Sequence, residues 1–296
     1  MIYLALSIFC SVTVGVLLKL AKRYQINIAQ AITWNYLFAI GLSAFFFRPI
    51  INQLNITTIH VVLGVLLPTI FIFLALSVQR TGLARTDIAQ RLSLFISLLA
   101  AFFIFNENYS ILKYFGITIG FLAIIFTLYR KSTTQVNNTD WLYPLLVFIG
   151  FGVIDVCFKL ISQYTTSSLF IIFCIAFFLS LLALTKKERN KADIILGIWM
   201  IIIGLHLFGY YSFVSGIMYI YPFLTLLNLG NILFYMKAHR AMSNDPSTVF
   251  AAMNIGVIIF GSLIGILVFK EKLSKLNYLG LLLALLSIIL ITLARY

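Results

Sequence analysis

The chain has 296 residues, of which 62% are hydrophobic and 10% are charged, and its mean hydropathy is +1.08. A soluble domain of this length keeps about 25% charged residues, so this composition excludes a water-soluble monomer. The net charge of +13 does not indicate a nucleic-acid partner. The basic residues lie between apolar runs, which is typical of anchors at an anionic lipid leaflet.

Ten apolar runs follow one another along the chain, each close to the roughly 20 residues that cross the hydrocarbon of a bilayer. They lie at 2–20, 29–47, 59–79, 87–106, 112–129, 142–162, 168–185, 218–241, 247–269 and 276–294. A further apolar stretch, 192–216, is predicted either as a full span or as a re-entrant, interfacial or broken helix. The longest polar connection, 130–141, falls near the middle of the chain.

The two halves of the chain repeat each other. The stretch 106–116 returns as 270–280 at an offset of 164, and the stretch 15–20 resembles 155–160 at an offset of 140. The matched positions of the first pair include Glu107, Ser110, Tyr114 and Gly116 against Glu271, Ser274, Tyr278 and Gly280. Each half holds an odd number of runs, five, so the second half is predicted to be inverted in the membrane relative to the first.

The repeats therefore predict an all-α integral membrane protein of about ten spans. The first five-helix repeat covers residues 1–130 and the second covers 142–296. The difference between the two offsets assigns the additional stretch 192–216 to the second repeat.

Two acid–base pairs lie within the apolar runs, where a charged side chain costs about 2.5–3.5 kcal/mol on insertion scales. Asp155 and Lys159 are four residues apart in the sixth run and share one helix face. They form either a neutralised structural pair or a cavity-facing pair in which substrate or a proton replaces one partner.

Asp87 and Arg91 repeat this spacing at the start of the fourth run, with Gln90 beside them. Asp87 is favourable there as a carboxylate at a helix start, and Arg91 is suited to hold a carboxylate or phosphate in bidentate fashion. A structural pair and a substrate contact both remain open. Asn254 lies at about the matching place of the ninth run, where it supplies an amide without a charge.

Other polar and aromatic residues are candidates as well. Lys19 either snorkels to the interface or, as the repeat match of Lys159, faces the site. Asn231 and Tyr235 form a polar stripe on one face of the eighth run, which either joins helices or lines a cavity. Trp34 in the second run either packs in the core or stacks on a ligand.

Two further residues are predicted to be structural. Glu107 is interpreted as part of a solvated turn or as a structural bond, in preference to a proton-coupling group. His239 is interpreted as an anchor at the membrane interface.

Two five-run halves, each ending in a glutamate-containing turn and a glycine-containing last run, resemble the drug/metabolite transporter superfamily and its EamA-type members. Basic residues of the first and sixth spans correspond to Lys19 and Lys159, and glutamates that end the fourth and ninth spans correspond to Glu107 and Glu271. The resemblance covers the whole chain apart from 192–216. It implies alternating-access export or import of amino acids, amines, sugars or related metabolites through a central cavity.

The sequence and the resemblance together predict a secondary transporter of a small polar metabolite, such as an amino acid or amine, in the bacterial inner membrane. Its expected partners are the substrate and membrane lipids, without nucleic acid, and it is expected as a monomer or homodimer. The predicted site residues are Lys19, Trp34, Asp87, Gln90, Arg91, Asp155, Lys159, Asn231, Tyr235 and Asn254. Coupling to protons or another ion is left open.

Two other functions compete with transport. A flippase for lipids or amphiphiles, or a passive channel, is the alternative on the same fold. A membrane-embedded enzyme is disfavoured, because the sequence offers no nucleophile–base arrangement, paired metal ligands or glycine-rich phosphate loop. No metal or cofactor is expected, since Cys10, Cys157 and Cys174 lie inside apolar runs without paired spacing.

Overall fold

The computed structural model describes residues 1–21, 28–50, 56–128, 138–164, 168–186, 217–270 and 273–294. Within these ranges every regular element is a helix. The elements are α1 (Ile2–Ala21), α2 (Ile28–Phe47), α3 (Thr58–Thr81), α4 (Leu83–Leu92), α5 (Leu94–Phe103), α6 (Ile111–Leu128), a 3₁₀ helix (Asn138–Trp141), α7 (Leu142–Ile161), α8 (Ser168–Lys186), α9 (Ile217–Ala241), α10 (Pro246–Leu267) and α11 (Lys275–Leu293).

Six helical stretches of the described ranges are long and apolar enough to cross a membrane, so the described part of the chain is all-helical and fits a membrane protein. They are Thr58–Thr81, Arg85–Phe103, Ile111–Leu128, Leu142–Ile161, Pro246–Leu267 and Lys275–Leu293. Three shorter apolar stretches are Ile2–Leu17, Ile32–Phe47 and Ser168–Leu182. Ten spans and an inverted second half stay predictions, and the stretch 192–216 lies outside the described residues.

One predicted run is divided. The run 87–106 corresponds to α4 and α5, which an irregularity at Ser93 separates. The Ser93 hydroxyl donates a hydrogen bond to the carbonyl of Gln90 at 2.6 Å. The Ser93 backbone N–H still bonds the Ala89 carbonyl at 3.2 Å, so α4 and α5 follow one another as one apolar stretch, Arg85–Phe103.

The chain folds into two compact units. Unit 1 consists of residues 1–15, 70–164 and 230–296, and unit 2 consists of residues 16–69 and 165–229. Both units therefore draw on both predicted repeats.

In unit 1, glycines bring α6 and α11 together as an antiparallel pair. Gly280, near the start of α11, lies so close to Thr127, near the end of α6, that a Cβ would collide with the Thr127 backbone. Gly116, near the start of α6, lies in the same way against Ile291, near the end of α11, where a Cβ would approach the backbone nitrogen to 3.1 Å. Asn277 donates to the carbonyl of Thr127 at 2.8 Å. Small residues thus allow the two backbones to pack closely.

A second glycine contact sets the position of α7. A Cβ at Gly152 would lie 2.6 Å from the Cβ of Ile96, so only glycine lets α5 approach α7 this closely. Asp155 lies one turn after Gly152, and Ser97 follows Ile96. The close approach therefore brings these two polar side chains within reach of each other.

In unit 2, α2 packs against α8. Tyr36 and Phe173 are both buried, with their ring centroids 6.5 Å apart. Thr225 of α9 donates a hydrogen bond to the side-chain oxygen of Asn35 at 3.3 Å. This unit holds Lys19 and Trp34 of the predicted site.

Candidate functional site

A carboxylate in the second half of α7 is the centre of a polar cluster in unit 1, which we call the Asp155 cluster. The Asp155 carboxylate accepts hydrogen bonds from Tyr235 Oη of α9 at 3.1 Å and from Ser97 Oγ of α5 at 3.2 Å. The side chain of Asn254 on α10 lies beside the same carboxylate, and Arg91 on α4 is close enough to attract it electrostatically. Four helices therefore direct polar or charged side chains to one half-buried carboxylate on α7.

The predicted pair of Asp155 and Lys159 is not formed. Lys159 is buried and its ammonium group donates to the carbonyl of Ser243 at 2.8 Å, beyond the end of α9. The predicted pair on α4 is present, with Arg91 Nε 3.8 Å from Asp87 Oδ1. Among the described residues, no basic nitrogen lies within 4 Å of the Asp155 carboxylate.

The structure brings together some of the predicted site residues and separates others. Arg91, Asp155, Tyr235 and Asn254 meet in the Asp155 cluster, and Asp87 is linked to it through Arg91. Four of the remaining predicted residues lie outside these contacts, and the Lys19 side chain lies outside the described part of the chain; the four are Trp34, Gln90, Lys159 and Asn231.

These remaining residues have other surroundings. Asn231 accepts a hydrogen bond from Ser7 Oγ at 2.7 Å, so it joins α9 to α1, as the helix-joining interpretation predicts. Gln90 is half-buried on α4. In unit 2, Trp34 is half-buried with its ring 6.0 Å from that of Phe38, and the Lys19 side chain lies outside the described part.

A second charged cluster, which we call the Lys113 cluster, joins the end of α5, the start of α6 and the start of α10. The Lys113 ammonium contacts the carboxylates of both Glu107 and Asp245. Glu107 also accepts hydrogen bonds from Ser247 Oγ at 2.7 Å and from the Ser247 backbone N–H at 2.9 Å. Thr248 donates to Asp245 at 2.8 Å. Glu107 is 6% exposed, so of its two interpretations the structural bond is confirmed and the solvated turn is wrong.

The pKa values of the two acids in the Lys113 cluster are shifted in opposite directions. Burial raises the pKa of Glu107, and hydrogen bonds from Lys113 and Ser247 oppose this only in part. Burial also acts to raise the pKa of Asp245, but hydrogen bonds with Lys113 and Glu107 outweigh it and lower that pKa. Glu107 therefore holds a proton more readily, and Asp245 carries the negative charge that balances Lys113.

His239 lies one helical turn after Tyr235 on α9. Its side chain is fully buried, and neither ring nitrogen has a hydrogen-bond partner among the described residues. The ring packs against Tyr235 and Phe250, with centroid distances of 4.6 and 4.7 Å. The prediction of an interfacial anchor is wrong, because the ring is part of the core of unit 1.

Sequence reasoning missed Ser97, Lys113, Asp245 and Ser247. Ser97 is one of two serines in its run, and nothing in the sequence distinguishes it from Ser93. Lys113 lies six residues after Glu107 within the repeated stretch 106–116, and this repetition is its one sequence signal. Within the described residues, no group of three metal-ligating side chains is arranged to hold an ion.

Comparisons with known proteins identify one relative and a shared fold. No protein-family model matches the chain. An uncharacterized protein of Haemophilus influenzae is 38% identical over 299 residues, covering 96% of this chain and 95% of that protein. A crystal structure of another protein, 14% identical, superposes with a TM-score of 0.70 over 99% of this chain and 96% of that one. This structural likeness extends to the fold alone.

Proposed function

Since this chain belongs to one family with the Haemophilus influenzae protein, we propose one function for both. They are secondary transporters of a small polar metabolite across the bacterial inner membrane. In this proposal, both proteins are multi-pass members of the EamA-type drug/metabolite transporters and work by alternating access.

The Asp155 cluster is the observation that carries the proposal. Asp155 lies on Leu142–Ile161, a helix able to span a membrane, and four other helices supply its polar neighbours. Ionisable groups at such depth are rare because they are costly, and in transporters they mark substrate or ion pathways. Binding sites of helical transporters typically lie where several helices converge on the middle of the membrane.

The ends of the repeated stretches support two related halves. Asn106 and Lys270, which are matched by the offset of 164, both have positive φ, at 51° and 52°. Ser110 and Ser274, also matched, each accept a hydrogen bond from the backbone N–H three residues later, at 3.3 and 3.2 Å. The same turn and the same serine cap therefore precede α6 and α11.

The contact between α6 and α11 supports inversion of the second half. Each of the matched glycines, Gly116 and Gly280, lies near the start of its helix and against the end of the other helix. A two-fold axis perpendicular to the two helices exchanges these contacts. Such an axis in the membrane plane relates inverted repeats, so we extend the proposal to ten spans in halves 1–130 and 142–296.

In the proposed mechanism, the polar part of the solute binds to the Asp155 cluster. Asp155 provides the charged group, Tyr235 and Ser97 fix its orientation by their hydrogen bonds, and Asn254 offers amide donors and an acceptor. The Lys113 cluster joins three helix ends of the same unit and acts as a structural strut. The two halves rock relative to each other and expose the bound solute to one side of the membrane at a time.

The test is solute flux in proteoliposomes that contain the purified chain. Vesicles are screened for saturable uptake of amino acids, amines, sugars and nucleosides, and the same vesicles are assayed for translocation of fluorescent phospholipids. We expect saturable uptake of one solute class that is lost in Asp155→Asn and retained in Asp140→Asn. Asp140 is the control because it lies on the 3₁₀ helix before the start of α7, at the opposite end of that helix from Asp155.

Each other outcome contradicts a defined part of the proposal. Lipid translocation without solute uptake replaces transport by the flippase alternative. Saturable uptake that survives Asp155→Asn leaves transport in place and removes the site. Size-exclusion chromatography of each variant separates loss of function from loss of folding.

A further inference from the structure

The groups that contact the Asp155 carboxylate are neutral donors, and Arg91 attracts it only from beyond contact distance. Tyr235 bonds Oδ1 and Ser97 bonds Oδ2, and both donors are hydroxyl groups. The third neighbour, Asn254, is an amide whose nitrogen also donates to the Phe250 carbonyl at 3.2 Å. In the described part of the chain, no cation contacts this carboxylate.

The two nearest basic side chains along α4 and α7 have other partners. Arg91 is paired with Asp87 at 3.8 Å, so its charge is already matched by one acid. Lys159 is four residues from Asp155, but its ammonium group binds the Ser243 carbonyl and lies 5.8 Å from the ring centroid of Phe105. The Asp155 cluster as a whole therefore has one uncompensated negative charge when the acid is ionised.

A half-buried carboxylate retains room for further donors. Its two oxygens accept about four hydrogen bonds, and Tyr235, Ser97 and Asn254 account for three of them. The Tyr235 ring is held in place by Phe158 and His239, with ring centroids 6.1 and 4.6 Å away. A preorganised anionic acceptor that keeps an unused lone pair is the complement of a group that carries positive charge and N–H donors.

On the basis of the proposed transport function, we propose that the solute bound at the Asp155 cluster is a cationic amine whose ammonium group pairs with the Asp155 carboxylate. An ion pair formed with the solute supplies the charge balance that this chain does not provide at that position. An anionic solute would be repelled by Asp155, since Arg91 is already matched by Asp87. A neutral solute would leave the charge uncompensated.

The experiment measures binding of matched solutes to the full-length, detergent-purified chain. Tyramine, agmatine and putrescine are compared with their N-acetyl derivatives, in which an uncharged amide replaces an ammonium group, and with carboxylates of similar size. Thermal unfolding midpoints and calorimetric Kd values are recorded, because a ligand that binds only the folded state raises its stability.

We expect at least one amine to raise the unfolding midpoint and its fully acetylated form to have no effect. Asp155→Asn weakens amine binding by about tenfold to a hundredfold, as expected for loss of a hydrogen bond to a charged group. Asp155→Glu, which keeps the charge, retains more of the affinity than Asp155→Asn. Asp140→Asn serves as the control acid and leaves the Kd unchanged.

Other results overturn this inference in distinguishable ways. Equal binding of an amine and its acetylated form, or amine binding that persists in Asp155→Asn, excludes the ion pair. Transport of a neutral or anionic solute that requires Asp155 overturns the cationic class while the transport proposal survives. Absence of both binding and flux for every solute class overturns both proposals. A second variant, Tyr235→Phe, removes one donor of the cluster and keeps the ring, and it must weaken amine binding as well.

Discussion

Two of the shielded carboxylates of unit 1, Glu107 and Asp155, differ in how their charge is compensated. Glu107 lies in the Lys113 cluster, where an ammonium group, a hydroxyl and a backbone N–H all contact it. Asp155 lies in the Asp155 cluster, where hydroxyl donors contact it and no cation does, among the described residues. The first acid is compensated by the protein itself, and the second is compensated only in part.

This difference separates stability from binding. A buried ion pair is strongly destabilised when one partner is removed, because the other charge is left without compensation. A carboxylate that the protein leaves uncompensated contributes little to stability and is available to an external cation. Substitutions in the two clusters should therefore have effects of different size and, in one case, of opposite sign.

The largest effect is expected for Lys113→Met. The substitution removes the cation that contacts both Glu107 and Asp245 and leaves two acids facing each other in a buried cluster. The free energy of unfolding should fall by about 3–5 kcal/mol. It can be measured by SDS titration of the purified chain, followed by circular dichroism.

Lys275→Met is the matched control for this substitution, because Lys275 is exposed at the start of α11. It should change the free energy of unfolding by less than about 0.5 kcal/mol. Equal effects of the two substitutions would show that the Lys113 cluster is not a strut, and the contrast with Asp155 would be lost.

A smaller and pH-dependent effect is expected for Glu107→Gln. Loss of hydrogen bonds to a charged group should cost about 1–3 kcal/mol of stability. Since burial raises the pKa of Glu107, the folded state binds its proton more tightly than the unfolded state does. This contribution to stability is complete below the ordinary pKa of 4.5 and is lost as the pH rises through the folded-state value.

The difference in unfolding free energy between the wild type and Glu107→Gln should therefore shrink as the pH is raised from 4.5. Asp245 does not obscure this trend, because its lowered pKa gives stability that is lost only as the pH falls below its ordinary value of 3.8. The readout is the SDS unfolding midpoint from pH 4 to pH 8. A difference that grows with pH would contradict the assigned direction for Glu107.

A still smaller change, of neutral or favourable sign, is expected for Asp155→Asn. The asparagine side-chain oxygen still accepts from Tyr235 or Ser97, and the uncompensated charge is removed. The free energy of unfolding should stay within about 1 kcal/mol of the wild-type value or rise. A loss comparable to that of Lys113→Met would mean that Asp155 is itself structural, and the comparison between the two clusters would fail.

The helices could be predicted from the sequence where the bilayer sets their length. The runs 59–79 and 247–269 correspond closely to Thr58–Thr81 and Pro246–Leu267, since a span needs about 20 apolar residues whatever its neighbours are. The break at Ser93 could not be predicted, because serines occur throughout these runs. The sequence does not show which of them bonds a nearby backbone carbonyl, as Ser93 does.

The central residue of the site, Asp155, could be predicted from the sequence, but the groups that contact it could not. Asp155 was identified because an acid in an apolar run requires a role, whereas helical spacing suggested Lys159 as its partner. A lysine side chain is long enough to reach a neighbouring segment, and Lys159 uses this length to bind the Ser243 carbonyl beyond the end of α9. The contact between Ser97 and Asp155 depends on how α5 packs on α7. The residue pattern of a single helix does not show which neighbouring helix it packs against.

The smallest effect is expected for His239→Phe, a ring-for-ring replacement next to Tyr235 of the Asp155 cluster, for which His239→Ala is the contrasting control. Its ring is fully buried, and neither nitrogen is hydrogen-bonded within the described residues, so the ring contributes volume and its polar atoms contribute nothing favourable. His239→Phe should therefore change the free energy of unfolding by less than about 1 kcal/mol, and His239→Ala should lower it by about 2–5 kcal/mol through the cavity it leaves. A large loss in His239→Phe, measured in the same SDS titration, would mean that the imidazole nitrogens have a polar partner in the membrane. The polar region around Asp155 would then extend one helical turn further along α9.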